Sequence, residues 1–366
     1  MNLFGCTHKE ALVVPPGTID VHAHHFPRDA PPSDVMAAFP RAPRLVVDSP
    51  ATGRLVRGTD DFRTVRRALW DVQARLEDMD RAGVAIQAIS PVPVTLEYGS
   101  PAAPFASYCR WINESVARAV QDGGGRLVGV GTVPLGSPRE CLSELHHLSA
   151  DLGLRAVEIG TRIGGMELDH PALEYFFDAA DSLGLAVLVH PVDGGGGAVR
   201  RSGFTYDFGL GMPSDTALAA TALVFGGVLD RHRGLRIALV HGCGTFPWAY
   251  PRLRLGAQIA GTHLPEELDH LVSRLYADTL VFDPAHLPVL VHRFGVDRIL
   301  LGSDHPFISG QPEAGLAELL SASADLPPGA VPRILRDNAL EFLGLSSGEL
   351  VTDHSSPTKE DHYGTH

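Results

Sequence analysis

His22 and His24, two residues apart at the end of the apolar stretch Thr18-Ile-Asp-Val-His, carry the clearest chemical signal in the chain. On an extended strand, residues i and i+2 share a face, so both imidazoles point to one side. Imidazoles so placed are the beginning of a divalent metal site, and they accept Zn, Fe, Co and Mn. Three further residues close apolar runs. His190 ends Ala-Val-Leu-Val-His, His241 ends Ile-Ala-Leu-Val-His, and Asp304 follows Ile-Leu-Leu-Gly-Ser. One such residue is ordinary core polarity. Four runs that each end in His or Asp point to ligands or acid–base groups gathered in one place. His25 is out of phase with its neighbours and reads as a surface histidine or one standing behind the ligands.

The elements that must position these residues follow a repeating grammar of strand, helix, glycine, strand. Candidate strands are Thr18–His22, Ile86–Ser90, Leu127–Thr132, Ala156–Ile159, Ala186–His190, Arg236–His241, Leu275–Asp278 and Ile299–Gly302. Leu69, Val72, Leu76 and Met79 share a helical face before Gly83. Leu173, Phe176, Phe177 and Ala180 do so before Gly184, and Pro284–Phe294 precedes Gly295. Eight such units predict an α/β fold, a closed (β/α)8 TIM barrel. Barrel enzymes place catalytic groups at the carboxyl ends of their strands, where His22, His24, His190, His241 and Asp304 fall. The stretch between the first strand and the helix near Ala68 breaks the rhythm. Arg44–Val47 and Arg54–Arg57 flank a Ser-Pro-Ala-Thr-Gly turn, which predicts a small β-hairpin inserted after strand 1 at about residues 27–62. The Gly194–Gly197 run reads as a flexible loop; it lacks the lysine and serine of a phosphate cradle. Residues 1–345 read as one domain, and 346–366 as a polar tail.

Composition bounds the partners. The 366 residues carry a formal net charge of −13, which disfavours nucleic acid or an anionic membrane as a partner. No run of about 18 apolar residues suggests a membrane span. Cys6, Cys109, Cys141 and Cys243 form no CxxC pair, so the expectation is a cytoplasmic enzyme without disulfides.

The runs Ile19-Asp-Val-His-Ala-His-His-Phe-Pro, Asp61-Phe-Arg-Thr-Val-Arg-Arg-Ala-Leu-Trp-Asp, Val240-His-Gly-Cys-Gly-Thr-Phe and Leu301-Gly-Ser-Asp-His-Pro-Phe resemble the amidohydrolase superfamily. Within it they are similar to the aminocarboxymuconate-semialdehyde decarboxylase branch, and the resemblance spans roughly residues 18–345. It implies one divalent metal, zinc in the first instance, with Mn, Fe or Co as alternatives, held by His22, His24, His190 and Asp304. It implies that metal-bound water and His241 handle proton transfer, with Asp304 able to relay a proton. Arg63 and Arg252 fall at substrate-carboxylate arginines, the latter contributed across a homodimer interface, with Arg254 a competing assignment. Phe307 lines the pocket. Strand 4 ends in Glu158 where binuclear relatives carry a bridging lysine, which favours a single metal and a supporting role for Glu158.

The implied reaction is zinc-dependent, non-oxidative decarboxylation of an unsaturated or aromatic carboxylic acid, 2-amino-3-carboxymuconate 6-semialdehyde or a close analogue. The alternative is hydrolysis of an amide or lactone, or hydration, on the same barrel. The chain departs from the branch after His190-Pro191. Val192 stands where the branch has tryptophan, and the following loop offers Phe204 and Tyr206. The rebuilt loop bears on the substrate more than on the reaction.

Overall fold

The computed structural model describes residues 17–192, 194–195 and 198–346. Cys6, Gly196, Gly197 and the tail beyond Ser346 lie outside the described residues.

Eight parallel strands form one sheet. In chain order they are β1 (Ile19–His25), β5 (Ile86–Pro91), β6 (Leu127–Thr132), β7 (Ala156–Gly160), β10 (Ala186–His190), β11 (Arg236–Leu239), β12 (Tyr276–Asp278) and β13 (Ile299–Leu300). Each pairs with the next in the sequence, and helices bridge successive pairs. The barrel closes where the last strand meets the first. Val21 N–H donates to the Leu301 carbonyl at 2.9 Å, Asp304 N–H to the His22 carbonyl at 2.8 Å, and His24 N–H to the His305 carbonyl at 2.7 Å.

The two-residue alternation of each strand divides its side chains between two cores. In β10, Val187 and Val189 face the helical layer, while Ala186 and Leu188 fill the barrel interior. His190 continues the inward phase and so emerges at the carboxyl-end mouth. The helices begin and end on their own sequence signals. Val72–Ala82 starts on Asp71, whose carboxylate accepts from Ala74 N–H at 2.9 Å, and it stops at Gly83 with φ 72°.

The inserted segment is larger than a hairpin. β2 (Pro43–Val47) and β3 (Thr52–Arg57) pair as expected, with Leu45 opposite Leu55. A third antiparallel strand, β4 (Asp60–Arg66), adds to β3. Its residues are mostly charged and only Val65 is buried, so the apolar alternation that marks a strand is missing. The sheet packs Leu55 and Val65 against Phe26, Trp70 and Trp111, and this fixes Arg63 on β4 over the mouth.

The helical run Phe204–Phe225 is long and apolar enough to cross a membrane by length and composition, a feature absent from the reading of the chain. Its Ala220, Leu223 and Val224 are buried in the helix–strand core. Cys109, Cys141 and Cys243 are free and buried.

Candidate metal centre and its cavity

His22, His24, His190 and Asp304 converge at the mouth, with one ligand atom of each within 4.8 Å of all the others. The rings of His22 and His24 stand edge to face at 5.2 Å, and His190 lies 5.2 Å from the first and 5.1 Å from the second. The three imidazoles are oriented the same way. Nδ1 of His22 donates to Asp278 at 2.7 Å, that of His24 to the Pro91 carbonyl at 3.1 Å, and that of His190 to the Pro191 carbonyl at 2.7 Å. In its neutral form each ring is thereby left with an Nε2 lone pair. All three Nε2 atoms are buried and make no well-aligned hydrogen bond among the described residues, that of His24 approaching Asp304 Oδ1 to 3.0 Å. Three stranded lone pairs facing one carboxylate fit a divalent cation, because an unsatisfied buried polar atom is otherwise costly. The Nδ1 contacts are the outer interactions that orient metal-binding histidines.

Asp278 was not singled out in the sequence, although it ends the seventh strand in the position where the other strands carry ligands. It also accepts Gly242 N–H at 2.8 Å and Leu280 N–H at 3.2 Å, so one carboxylate ties His22 to the loop that carries His241. Asp278→Asn is expected to lower metal affinity about 10- to 100-fold, the usual effect of losing such a partner. Competition against a coloured chelator measures it, and unchanged affinity would remove Asp278 from the site.

Electrostatics separates the histidines. Burial opposes charge on His22, but Asp278 and Asp304 outweigh it and raise its pKa to about 9. Burial lowers the pKa of His24 and His190. His241 lies outside the ligand quartet, its ring 5.3 Å from that of His22 and 5.0 Å from that of His190. Burial and the neighbouring His22 bring it down to about 4. Its backbone is left-handed, with φ 57°, as is that of Asp304 with φ 56°. Such conformations cost on the order of 1–3 kcal/mol each and gather at functional sites.

Glu158 points inward from β7, fully buried, with neither carboxylate oxygen hydrogen-bonded among the described residues. Burial pushes its pKa up to about 8, against weaker contributions from Ser90 and His22. It is not one of the four converging groups. Of the two readings of His25, the surface one is excluded: the residue is buried, with Nε2 3.0 Å from the Ser115 hydroxyl. Behind the metal ligands, a buried network also escaped the sequence. Arg75 bonds the His24 carbonyl and Gln87, and Gln87 and Ser303 donate to Asp20 at 2.8 and 2.6 Å.

Above the quartet opens a cavity of about 680 Å³, lined by His24, His190, His241 and Asp304 at its floor. Arg63 and Phe307 both line it, the guanidinium lying 4.4 Å over the ring centroid. Phe307 in turn sits 5.3 Å from the His24 ring. Arg252 does not reach this cavity. It is exposed on the helix Phe246–Ala260, in a separate groove with Phe225 and Leu253. Arg254 is paired with Asp269 at 2.8 Å. Of the rebuilt loop, Val192 and Phe204 line the cavity together with Asp207, Phe208 and Met212, whereas Tyr206 accepts a hydrogen bond from Arg201 at 2.8 Å.

A barrel with its ligands on strands one, five and eight defines a metal-dependent hydrolase-type scaffold. Residues 19–345 match the amidohydrolase family, to which the chain belongs. It is 28% identical to the 2-amino-3-carboxymuconate-6-semialdehyde decarboxylase of Dictyostelium discoideum, an alignment covering 91% of this chain and 93% of that one. It is 25% identical to the 6-methylsalicylic acid decarboxylase acuB of Aspergillus aculeatus, over 88% and 95% of the two chains. Among solved structures, a dihydroxybenzoic acid decarboxylase from Polaromonas with bound manganese and 2-nitroresorcinol shares the fold. Its TM-score is 0.69 at 19% identity, over 92% of this chain and 99% of that one.

Proposed function

We propose that this protein is a metal-dependent, non-oxidative decarboxylase of an unsaturated or aromatic carboxylic acid. The observation that carries the reading is the set of three unpartnered imidazole Nε2 atoms with Asp304, opening into a cavity that also holds His241 and Arg63. The names of the relatives give the reaction class. Zinc is the metal of this reading; imidazole and carboxylate ligands also suit the manganese present in the structural neighbour.

A bound divalent ion supplies positive charge that stabilises developing anionic oxygen. Arg63 holds the substrate carboxylate with its planar guanidinium and orients it over the floor. Asp304 relays a proton to His241, which at the cavity floor beside the quartet delivers it to the carbon that bears the carboxylate. The carbon–carbon bond then breaks. Its electron pair returns to the conjugated system, carbon dioxide leaves, and the new C–H bond remains. The reading includes a homodimer, supported by the exposed Trp248, Leu255 and Ile259 on the helix that carries Arg252. A cytoplasmic setting accords with the free cysteines.

The test is carbon dioxide release from the zinc-loaded protein with muconate semialdehydes and with hydroxybenzoates. No turnover on either class would sink the proposal, and hydrolysis without carbon dioxide would favour the hydrolase alternative. Arg63→Ala is expected to lower kcat/KM about 30-fold, the scale of one charge-assisted contact. Unchanged kinetics would place the carboxylate elsewhere.

A further inference from the structure

The cavity is charged very unevenly, and this bears on which acids it takes. Arg57 and Arg63 are its two arginines. Arg57 is already spent on Glu97, with Nε–Oε1 at 2.6 Å and a second bond at 2.8 Å. Arg63 makes no ion pair among the described residues and contacts only the Phe307 ring face. One uncompensated arginine therefore faces the floor. The other charges on the walls are carboxylates: Glu97, held by Arg57, and Asp207, which accepts Gly203 N–H at 3.0 Å.

Another part of the lining is built differently. Phe204 stacks on Phe208 with rings 5.4 Å apart and nearly parallel, at 11°, and Phe208 leans on Phe282 at 5.7 Å. Phe204 is 73% exposed and Phe62, on the inserted sheet, 51% exposed, yet both line the cavity. Large aromatic faces left open to water inside a concave site gain by being covered. A volume of about 680 Å³ falls among pockets that take ligands larger than a single ring.

Resting on the decarboxylase reading, we infer that the substrate is an aromatic acid with one carboxylate, held between Arg63 and the floor, and an apolar alkyl or aryl substituent lying against Phe204 and Phe208. Among the described lining residues a second carboxylate beside Phe204 and Phe208 meets no free cation and stands near Asp207, so dicarboxylic acids are selected against.

The test uses the zinc-loaded full chain and three matched acids: salicylate, a salicylate with a butyl group remote from the carboxylate, and the same ring with a second carboxylate in place of butyl. Binding is measured by calorimetry alongside carbon dioxide release. The butyl acid is expected to bind at least about tenfold tighter than salicylate, and the diacid more weakly than either. Phe208→Ala should shrink the butyl preference to below about threefold. A butyl preference that survives both Phe204→Ala and Phe208→Ala would overturn the inference. So would a diacid that binds as tightly as the butyl acid; if that binding is lost in Arg252→Ala, the second cation comes from another copy of the chain. The expected binding order without carbon dioxide release would uphold the ligand class and refute the decarboxylase reading, so the two fail separately.

Discussion

His241→Asn lowers kcat by about three orders of magnitude and leaves the metal content unchanged. The magnitude is that of removing a positioned proton-transfer group, about 10²- to 10⁴-fold. Asparagine is the replacement of choice because His241 is left-handed, with φ 57°, and asparagine tolerates that conformation better than most residues. A kcat loss in this variant is therefore not a backbone effect. Metal content separates the proton-handling role from ligation. His241 stands outside the four converging groups, so a variant that lost its metal would make His241 a ligand and overturn its assigned role.

The second large effect is expected from His190→Ala. Losing an outer partner of a ligand costs about 10- to 100-fold in metal affinity, and losing the ligand itself must cost more, at least about two orders of magnitude. His190 is a cleaner probe than His22. The Nδ1 of His190 bonds only the adjacent Pro191 carbonyl, whereas removing the His22 ring strands the buried Asp278 carboxylate as well. Thermal unfolding gives an independent readout. At a thousandfold excess of metal over its Kd, binding stabilises the native state by about 4 kcal/mol, so the wild type should melt several degrees higher with metal than with a chelator. The variant should show little such shift. A variant that keeps its metal and its metal-dependent shift would remove His190 from the quartet.

The barrel and the convergence of His22, His24, His190 and Asp304 were legible because the same two-residue period that buries Val187, Val189 and Leu188 decides where His190 emerges. Apolar runs mark the strands, and whatever polar residue breaks the run at its carboxyl end lies at the mouth. The features that escaped lack such a run. β4 is mostly charged and gains its place by pairing with β3. β12 spans only Tyr276–Asp278, and the importance of Asp278 depends on His22, 256 positions away. Arg75 is fully buried, a status its residue type argues against, and the carbonyl of His24, the side chain of Gln87 and the His305 ring explain it. Phe208 and Asp207 lie in the first turns of the helical run Phe204–Phe225, so their place on the cavity wall depends on how the chain leaves β10 and enters that run. Arg252, expected to act across a dimer interface, stands in a groove separate from this chain's own cavity.

The seam where the barrel closes has a further consequence. The backbone bonds that join β1 to the segment after β13 run through His22, His24 and Asp304, the residues that would hold the metal. Ser303 and Asp20, which bond across the same seam, are 283 residues apart in the chain. No early fragment of the polypeptide contains both halves of the ligand set. During synthesis the four-residue site is therefore incomplete until Asp304 has emerged, and an ion held there would act as a clasp on a long loop. Such a clasp removes from the unfolded chain the freedom of a loop of nearly three hundred residues. On that reading, free metal concentration would bear on how long a finished barrel stays shut as well as on whether it can react.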